Sequence, residues 1–579
     1  MIVVNVVASL VVGIGLIIYK FIYPKKKINL FCLLLIITTL PILSILREGS
    51  YNSGDLSLHT KYAMQFFDNL SQGNLIPKWT GNHCNSYGCP EFIFIFILPY
   101  YLISVFHLLG FQFISSVKIL LISSFFISGI GMYMWVKDEL GKKPAFVASI
   151  FYLFAPYHLI DLHFRVSIGE LLSFAILPFI FLLTKRLMES KKAVYFLLTS
   201  LFLALLILSH QATSLVSLPF IVLYGGLIWF RDKNKKISTV FPIFIAIIFG
   251  IGLTAFYWLP ILAESKFILY GIGNGIGFHP FLEYFYSPYR FGLLFQGHMG
   301  ELYLIVGYTQ WVIFVASIYL LFKKKIERND KHLLILLLVS LIVLFILMQS
   351  FTRPVWDLFY FAKNIQFSWR LLIEISLFVS VIAGIVVKYT KSKTLIIILC
   401  FVTIFYTILN WGNRKSEPTI NDIFLRNQHI FTDPKWYELT TPKWVRHSGK
   451  WVSAYPKGHI EVISGKANIL QIKRLITKHE YIIDVKQDAL LKENTYFYPG
   501  WKITANNKYV NIMYKNSKYP GVITFILKKG IYIVKVEFTD TTDRIAGKYI
   551  TIITVIFLSL TTFILSRKKI LKTRTSSKA

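Results

Sequence analysis

Acidic residues are scarce in this chain. Its 579 residues hold 29 Asp and Glu against 62 Lys and Arg, a formal net charge of +33, and charged residues of both signs make up only 16%. A soluble domain carries about 25%. Cysteine is nearly absent, with four residues, and no spacing of Cys or His suggests a zinc site. Cys32 and Cys400 lie in apolar runs and read as packing residues. Cys84 and Cys89 share one polar loop and form a small disulfide if that loop faces an oxidising compartment. A Gly-rich nucleotide loop, a Walker motif and a Ser-His-Asp ordering are also missing, so nothing points to a phosphate-loop enzyme or a serine hydrolase.

Apolar sequence fills the space. Hydrophobic residues are 55% of the chain, mean hydropathy is +0.58, and runs long enough to cross a bilayer recur along most of its length. The reading is a polytopic membrane protein. In a soluble protein the net charge would suggest a nucleic-acid partner; here Lys and Arg sit in short clusters between apolar runs, where they orient helices, so none is expected and membrane lipids are the surroundings. The first run, Val3 to Tyr19, is followed by its lysines and lacks a small-residue cleavage pattern, which reads as a retained anchor.

Fourteen apolar segments are candidates for crossing: 3–22, 29–46, 92–110, 117–136, 144–160, 167–184, 193–209, 212–230, 238–260, 302–322, 332–350, 371–387, 394–411 and 549–566. From Lys137 onward, two crossings separate each basic cluster from the next, as the positive-inside rule wants. Three runs lie between Lys27 and Lys137, so one must fail to span. Segment 92–110, with Pro99 near its middle and His107 near its end, is the weakest and is assigned to a juxtamembrane or re-entrant helix. Thirteen crossings remain, with the N-terminus outside and the C-terminus cytoplasmic.

The division expected is a transmembrane domain over 1–411, an extracytoplasmic β-rich domain over 412–548, a final transmembrane helix over 549–566 and a basic cytoplasmic tail over 567–579. Period-two alternation at His459 to Ile463, Tyr481 to Val485 and Ile531 to Phe538, with turns at Asn506-Asn507 and Lys528-Lys529-Gly530, predicts a β-sandwich-like fold for the second of these.

Ionisable groups near membrane depth are costly and mark sites, cavities or helix ends. Asp55 and His59 stand one helical turn apart, on one face, where they can share a metal or an acceptor proton; alternatively Asp55 is an ordinary N-cap. The turn Tyr157 to Glu170 packs His158, Asp161, His163, Arg165 and Glu170 between two apolar helices, more titratable groups than a connecting turn needs. The alternative there is an Arg165 ion pair that anchors two helix ends. Parity puts both clusters on one side of the membrane. A third group, Arg353, Lys363, Trp369 and Arg370, joins them; Arg353 and Lys363 read as interfacial anchors. Arg370 opens a helix, where a cation opposes the dipole, so a bound anion would explain it. His210, at a helix end, reads as a satisfied histidine, and Asp68 as a solvated face.

The stretches Pro77 to Trp79, Tyr87 to Leu102, Ala155-Pro-Tyr with Asp161, Arg165 and Glu170, and Gln366-Phe-Ser-Trp-Arg370 resemble the bacterial membrane proteins labelled 6-pyruvoyl-tetrahydropterin-synthase-related, a label that carries no pterin chemistry. Tyr498-Pro-Gly-Trp501, with Gly530 and the strand after it, is similar to the outer domain of multi-pass proteins of envelope glycosylation. An Asp in the first outer loop and acids at the second resemble the GT-C class of glycosyltransferases. That resemblance implies a GT-C-like helical bundle and transfer of a sugar from a polyprenyl-phosphate-linked donor to an envelope glycan or lipid acceptor on the outer face of the cell membrane. It implies Asp55 and Glu170 as catalytic groups, and His59, Arg165, Trp369 and Arg370 as substrate-binding residues. It also implies a divalent metal (Mg, Mn or Zn) on Asp55, Asp161 and His163. The close acid pair of oligosaccharyltransferases is absent, since Asp161 and Glu170 are nine apart. A transporter or flippase of lipid-linked saccharides, and a non-catalytic envelope scaffold, are the rival readings.

Overall fold

The computed structural model describes residues 1–576 except 191, 233–239, 270–275, 324–325, 359–364, 413, 428–439, 446–455 and 457, with side chains as far as 564. The chain opens with α1 (Ile2–Ile22) and α2 (Leu30–Ile42), the latter capped by the Asn29 side chain, which accepts from the Phe31 and Cys32 amides. An amphipathic α3 (Leu56–Ser71) follows, then α4 (Glu91–Phe94) and α5 (Leu98–Leu108). The main bundle continues through α6 (Phe113–Leu140), α7 (Lys142–Leu153), α8 (Pro156–Ile160), α9 (Ile168–Ser190), α10 (Ala193–Ser209), α11 (Gln211–Arg231), α12 (Phe241–Leu253) and α13 (Ala255–Glu264). After an irregular stretch come α14 (Tyr308–Phe322), α15 (Arg328–Leu347), the short α16 (Arg353–Leu358), α17 (Leu372–Lys388), α18 (Lys393–Phe405) and α19 (Asp422–Asn427). A last long helix, Thr542–Ser576, closes the chain.

Among the described residues eight helices are long and apolar enough to cross a membrane, or ten if the bent pairs α7 with Pro156–Arg165 and α12 with Ala255–Phe267 each count as one span. Four further apolar helices are shorter, α5 among them. The 11 residues of α5 rise about 16 Å, roughly half the thickness of a hydrocarbon core. Helices α9 and α17 are almost wholly enclosed by their neighbours and form the centre, whereas α1 and the C-terminal helix turn most of their apolar surface outward.

Among the described residues the C-terminal part holds one six-stranded antiparallel sheet: β3 (Ile460–Arg474), β4 (Lys478–Tyr496), β5 (Trp501–Ala505), β6 (Lys508–Val510), β7 (Val522–Leu527) and β8 (Gly530–Phe538). Two short strands earlier in the chain, β1 (Ser50–Tyr51) and β2 (Ser416–Glu417), pair separately. Where the sequence pattern suggests a β-sandwich-like fold, the described strands hydrogen-bond into one sheet, because the 19-residue β4 serves both halves. Along one edge it pairs with β3; along the other it pairs first with β8, from Lys478 to Val485, then with β7, from Ala489 to Tyr496. Period-two burial is the same in a bent sheet and in two stacked ones, so the sequence pattern does not separate them. Asn506 and Asn507, at φ +51 and +63, make the two-residue turn between β5 and β6, as this residue type favours.

Two of the features that tie the sheet to the bundle are buried side chains. Trp79, from the loop after α3, is buried against Tyr498, Trp501 and Phe538, inside the sheet's own core. Cys84 and Cys89 are disulfide-bonded in the same loop. At the other attachment the Arg544 guanidinium, fully buried, donates to Glu264 at 2.8 Å and to the Pro499 and Thr539 carbonyls, which joins the C-terminal helix, α13 and the sheet.

Candidate functional site

Pro156 sets the first turn of α8, where its missing amide costs nothing. One extra residue in the next turn makes Asp161–Arg165 π-helical, and the chain then turns through Val166 at φ +58, ψ +48. A β-branched residue in that region costs on the order of 1–3 kcal/mol and persists only where its surroundings fix it. The turn sends the Arg165 side chain inward and its carbonyl outward. Inward, Arg165 grips Glu170 with two nitrogens, Nη1 to Oε2 and Nη2 to Oε1, both at 2.9 Å, and Nη1 reaches Asp161 Oδ1 at 2.7 Å and the Tyr157 hydroxyl at 2.6 Å. Arg370 Nε donates to Glu170 Oε1 at 3.0 Å from the turn Ser368–Leu371 that leads into α17, and Tyr157 donates to Oε2 at 2.6 Å. The anion opposite Arg370 is therefore Glu170, a protein carboxylate. Nε of Arg165 and Nη2 of Arg370 make no hydrogen bond among the described residues, and both side chains keep about 15% of their surface open.

Outward, the Arg165 carbonyl accepts from the Asp55 amide at 2.9 Å, and the Phe164 carbonyl accepts from Gly54 at 2.7 Å. A Cβ on Gly54 would stand 2.9 Å from the Arg165 oxygen, so the approach needs glycine. This backbone join sets Asp55 next to the turn, near enough for Arg165, Glu170 and Arg370 to act on its carboxyl electrostatically. Its carboxylate makes no cap bond to α3, nor any other hydrogen bond among the described residues; Ser53 Oγ accepts from Leu56 in its place. Burial pushes the Asp55 carboxyl up to about 6, with Arg165 and Arg370 pulling down and Glu170 pushing up. The ordinary N-cap reading thus fails on geometry.

The remaining predicted residues are placed less centrally. His59 follows Asp55 on α3, but its Nδ1 pairs with the Tyr100 hydroxyl at 2.9 Å; burial holds it neutral, at about 3. Trp369 stacks on Phe367, with His279 edge-on. Lys363 lies outside the described residues. The metal set read from the sequence, Asp55, Asp161 and His163, is not assembled. His163 is buried on another side of the turn, beside Gly412, with neither ring nitrogen well hydrogen-bonded among the described residues, and a guanidinium stands where a cation between Asp161 and Glu170 would be. Among the described residues no group of three His, Cys, Asp or Glu is arranged for a metal. The donor set does not fit one.

Two contributors, Tyr157 and Gln211, escaped the sequence reading, and a third, His210, read there as a satisfied histidine, also stands beside the cluster. Tyr157 bridges Arg165 and Glu170; a tyrosine in an apolar turn carries no signal before its partner is known. His210 caps α11 by accepting from the Thr213 amide, and its Nε2 stands 3.9 Å from Glu170. One residue on, Gln211 is hydrogen-bonded to the Tyr257 hydroxyl at the edge of an apolar cavity of about 310 Å³. The cavity lies among α10, α11, α12 and α13, lined by residues such as Leu203, Leu215, Ile221, Ile247, Trp258 and Ile261.

Comparison with known proteins covers much of this region. A family model described as 6-pyruvoyl-tetrahydropterin synthase related domain, membrane protein, matches residues 95–413, which takes in Asp161, Arg165, Glu170, His210 and Arg370 but not Asp55. An uncharacterized protein of Lactococcus lactis subsp. cremoris is 24% identical over 259 residues, 44% of this chain and 42% of that one. Two structures of the mycobacterial arabinofuranosyltransferase AftD, one of them a mutant, superpose over 67% of this chain with TM-scores of 0.39 and 0.41 and identities of 14% and 13%. The chain spans 27% and 28% of those two chains.

Proposed function

We propose that this chain, which belongs to the 6-pyruvoyl-tetrahydropterin synthase related family of membrane proteins, is a membrane glycosyltransferase using a polyprenyl-phosphate-linked sugar. The observation that carries the reading is the unpaired Asp55 carboxylate, held beside two guanidinium groups that retain open donors. In the reaction proposed, Asp55 takes the proton of an acceptor hydroxyl. The acceptor oxygen bonds to the sugar's anomeric carbon, and the bond from that carbon to the phosphate oxygen breaks. Polyprenyl phosphate leaves with the electron pair, its charge met by Arg165 and Arg370, which Glu170 and Tyr157 hold in position. A carboxyl at about 6 is ionised at neutral pH and is a stronger base than an ordinary aspartate. Glu170 acts as a positioning residue, since its oxygens are taken up by Arg165, Arg370 and Tyr157. The apolar cavity that begins at Gln211, next to His210, accepts the first isoprene units.

The same reading sets thirteen crossings with α5 at the surface, the sheet and N-terminus outside and the basic tail in the cytoplasm. The Cys84–Cys89 disulfide on the sheet side supports it, because such bonds persist in oxidising compartments. The acceptor is an envelope glycan or lipid. The test is incubation of purified protein with polyprenyl-phosphoryl sugars and measurement of polyprenyl phosphate release. Release is expected from the wild type and lost in Asp55→Asn. Undiminished release by that variant overturns the mechanism; movement of the lipid-linked sugar across vesicles without release overturns the activity.

A further inference from the structure

A cavity of about 910 Å³ outside the charge cluster opens where three parts of the molecule meet. The loop that follows α3 supplies Asn74, Leu75 and Lys78; the end of β8 and the residues after it supply Phe538 and Asp540; the C-terminal helix supplies Lys548, Thr551 and Ile552. Lys78 Nζ lies 2.7 Å from Asp540 Oδ1 and Lys548 Nζ lies 2.5 Å from Oδ2. Two ammonium groups thus share one carboxylate and leave a local excess of one positive charge. Around them Asn69, Asn74, Thr477 and Thr551 make a neutral polar wall, its groups held in place by hydrogen bonds among themselves and to backbone. Tyr101, Phe256 and Ile552 supply apolar wall.

Its level matters as much as its charge. Lys548 sits where the C-terminal helix begins its outward-facing apolar surface at Tyr549, Ile550, Ile552 and Ile553. Leu75 is exposed on the opposite rim, and Leu108 and Leu109 at the end of α5. A cationic, hydroxyl-lined hollow above an apolar skirt suits a phosphate with a polar substituent on one side and hydrocarbon on the other. We propose that this cavity binds the phosphate-bearing headgroup of an anionic membrane lipid, with Lys78 and Lys548 on the phosphate and the acyl chains running down beside Phe256 and Ile552. The lipid then bridges the sheet and the final helix, apart from the transferase chemistry proposed above.

The experiment uses full-length protein in phosphatidylcholine nanodiscs and in nanodiscs with phosphatidylglycerol added, and reads bound lipid by native mass spectrometry together with the thermal midpoint. Phosphatidylglycerol is expected to be retained and to raise the midpoint, phosphatidylcholine not. Lys78→Gln and Lys548→Gln are each expected to weaken retention about fivefold. Asp540→Asn removes the competing carboxylate and is expected to strengthen it, an effect that a purely structural ion-pair triad would not give. Equal retention of both lipids, weaker retention in Asp540→Asn, or protection by millimolar inorganic phosphate with none by the lipid overturns the proposal. Turnover is not read, so failure here leaves the glycosyltransferase reading standing.

Discussion

Replacing Asp55 with Asn separates a strained functional carboxylate from a structural cap. An N-cap carboxylate stabilises its helix, and its loss costs about 1 kcal/mol. Asp55 makes no such bond, and its folded-state pKa is raised from 3.8 to about 6, first by burial. Each pH unit corresponds to about 1.4 kcal/mol, so the ionised form costs the fold at most about 3 kcal/mol, and about 1–3 kcal/mol once partial exposure is allowed for. Because the folded value is the higher one, that stability is fully present below pH 3.8 and is lost as pH rises through about 6. Asn does not titrate. The variant is therefore expected to melt above the wild type at pH 8, with the gap closing toward pH 4, while polyprenyl phosphate release falls by about 100-fold or more. Thermal midpoints of detergent-solubilised protein across that range check it. A variant that melts below the wild type at pH 8, or a gap independent of pH, refutes the reasoning and returns Asp55 to the role of a cap.

Three further outcomes are expected. Glu170→Gln leaves the Arg165 and Arg370 guanidinium groups buried without their shared carboxylate and is expected to cost about 3–5 kcal/mol, read as a lower thermal midpoint and loss of monodisperse protein. Leu215→Trp fills the cavity among α10 to α13 and is expected to raise KM for long-chain polyprenyl donors while sparing a donor of one or two isoprene units; equal effects on both would move the tail elsewhere. In the sheet, burial pushes Glu493 up, but His479 and Arg474 outweigh it and hold it at about 2 against 4.5. That stabilisation, about 3 kcal/mol, is present above pH 4.5 and lost as pH falls through about 2. Glu493→Gln is expected to flatten acid unfolding monitored by tryptophan fluorescence.

Helices were legible because membrane-depth sequence must satisfy its backbone locally, so a long apolar run has few alternatives. The strands were legible one at a time by alternation, but their partition was not: Lys486 to Asp488, where β4 changes partner, reads like any polar bend. At the site, Arg165, Glu170 and Arg370 stood out because charge is costly there. Their connectivity did not, since a nine-residue separation across a π-helical turn gives no sign that the two acids share one arginine. His163 misled for the same reason: sequence proximity to Asp161 says nothing of which side of an irregular turn a ring faces. Tyr157 and Gln211 gain their meaning from partners 13 and 46 residues away.

The seating of Trp79 among Tyr498, Trp501 and Phe538 has a bearing on biogenesis. A ribosome adding roughly 5–20 residues per second completes this loop tens of seconds before the strands that enclose its indole exist. During that interval the loop stays unsheltered, and its thiols are open to mispairing. A polypeptide interrupted after α18 would keep its helices yet leave this ring stranded in water, a natural handle for quality-control proteases.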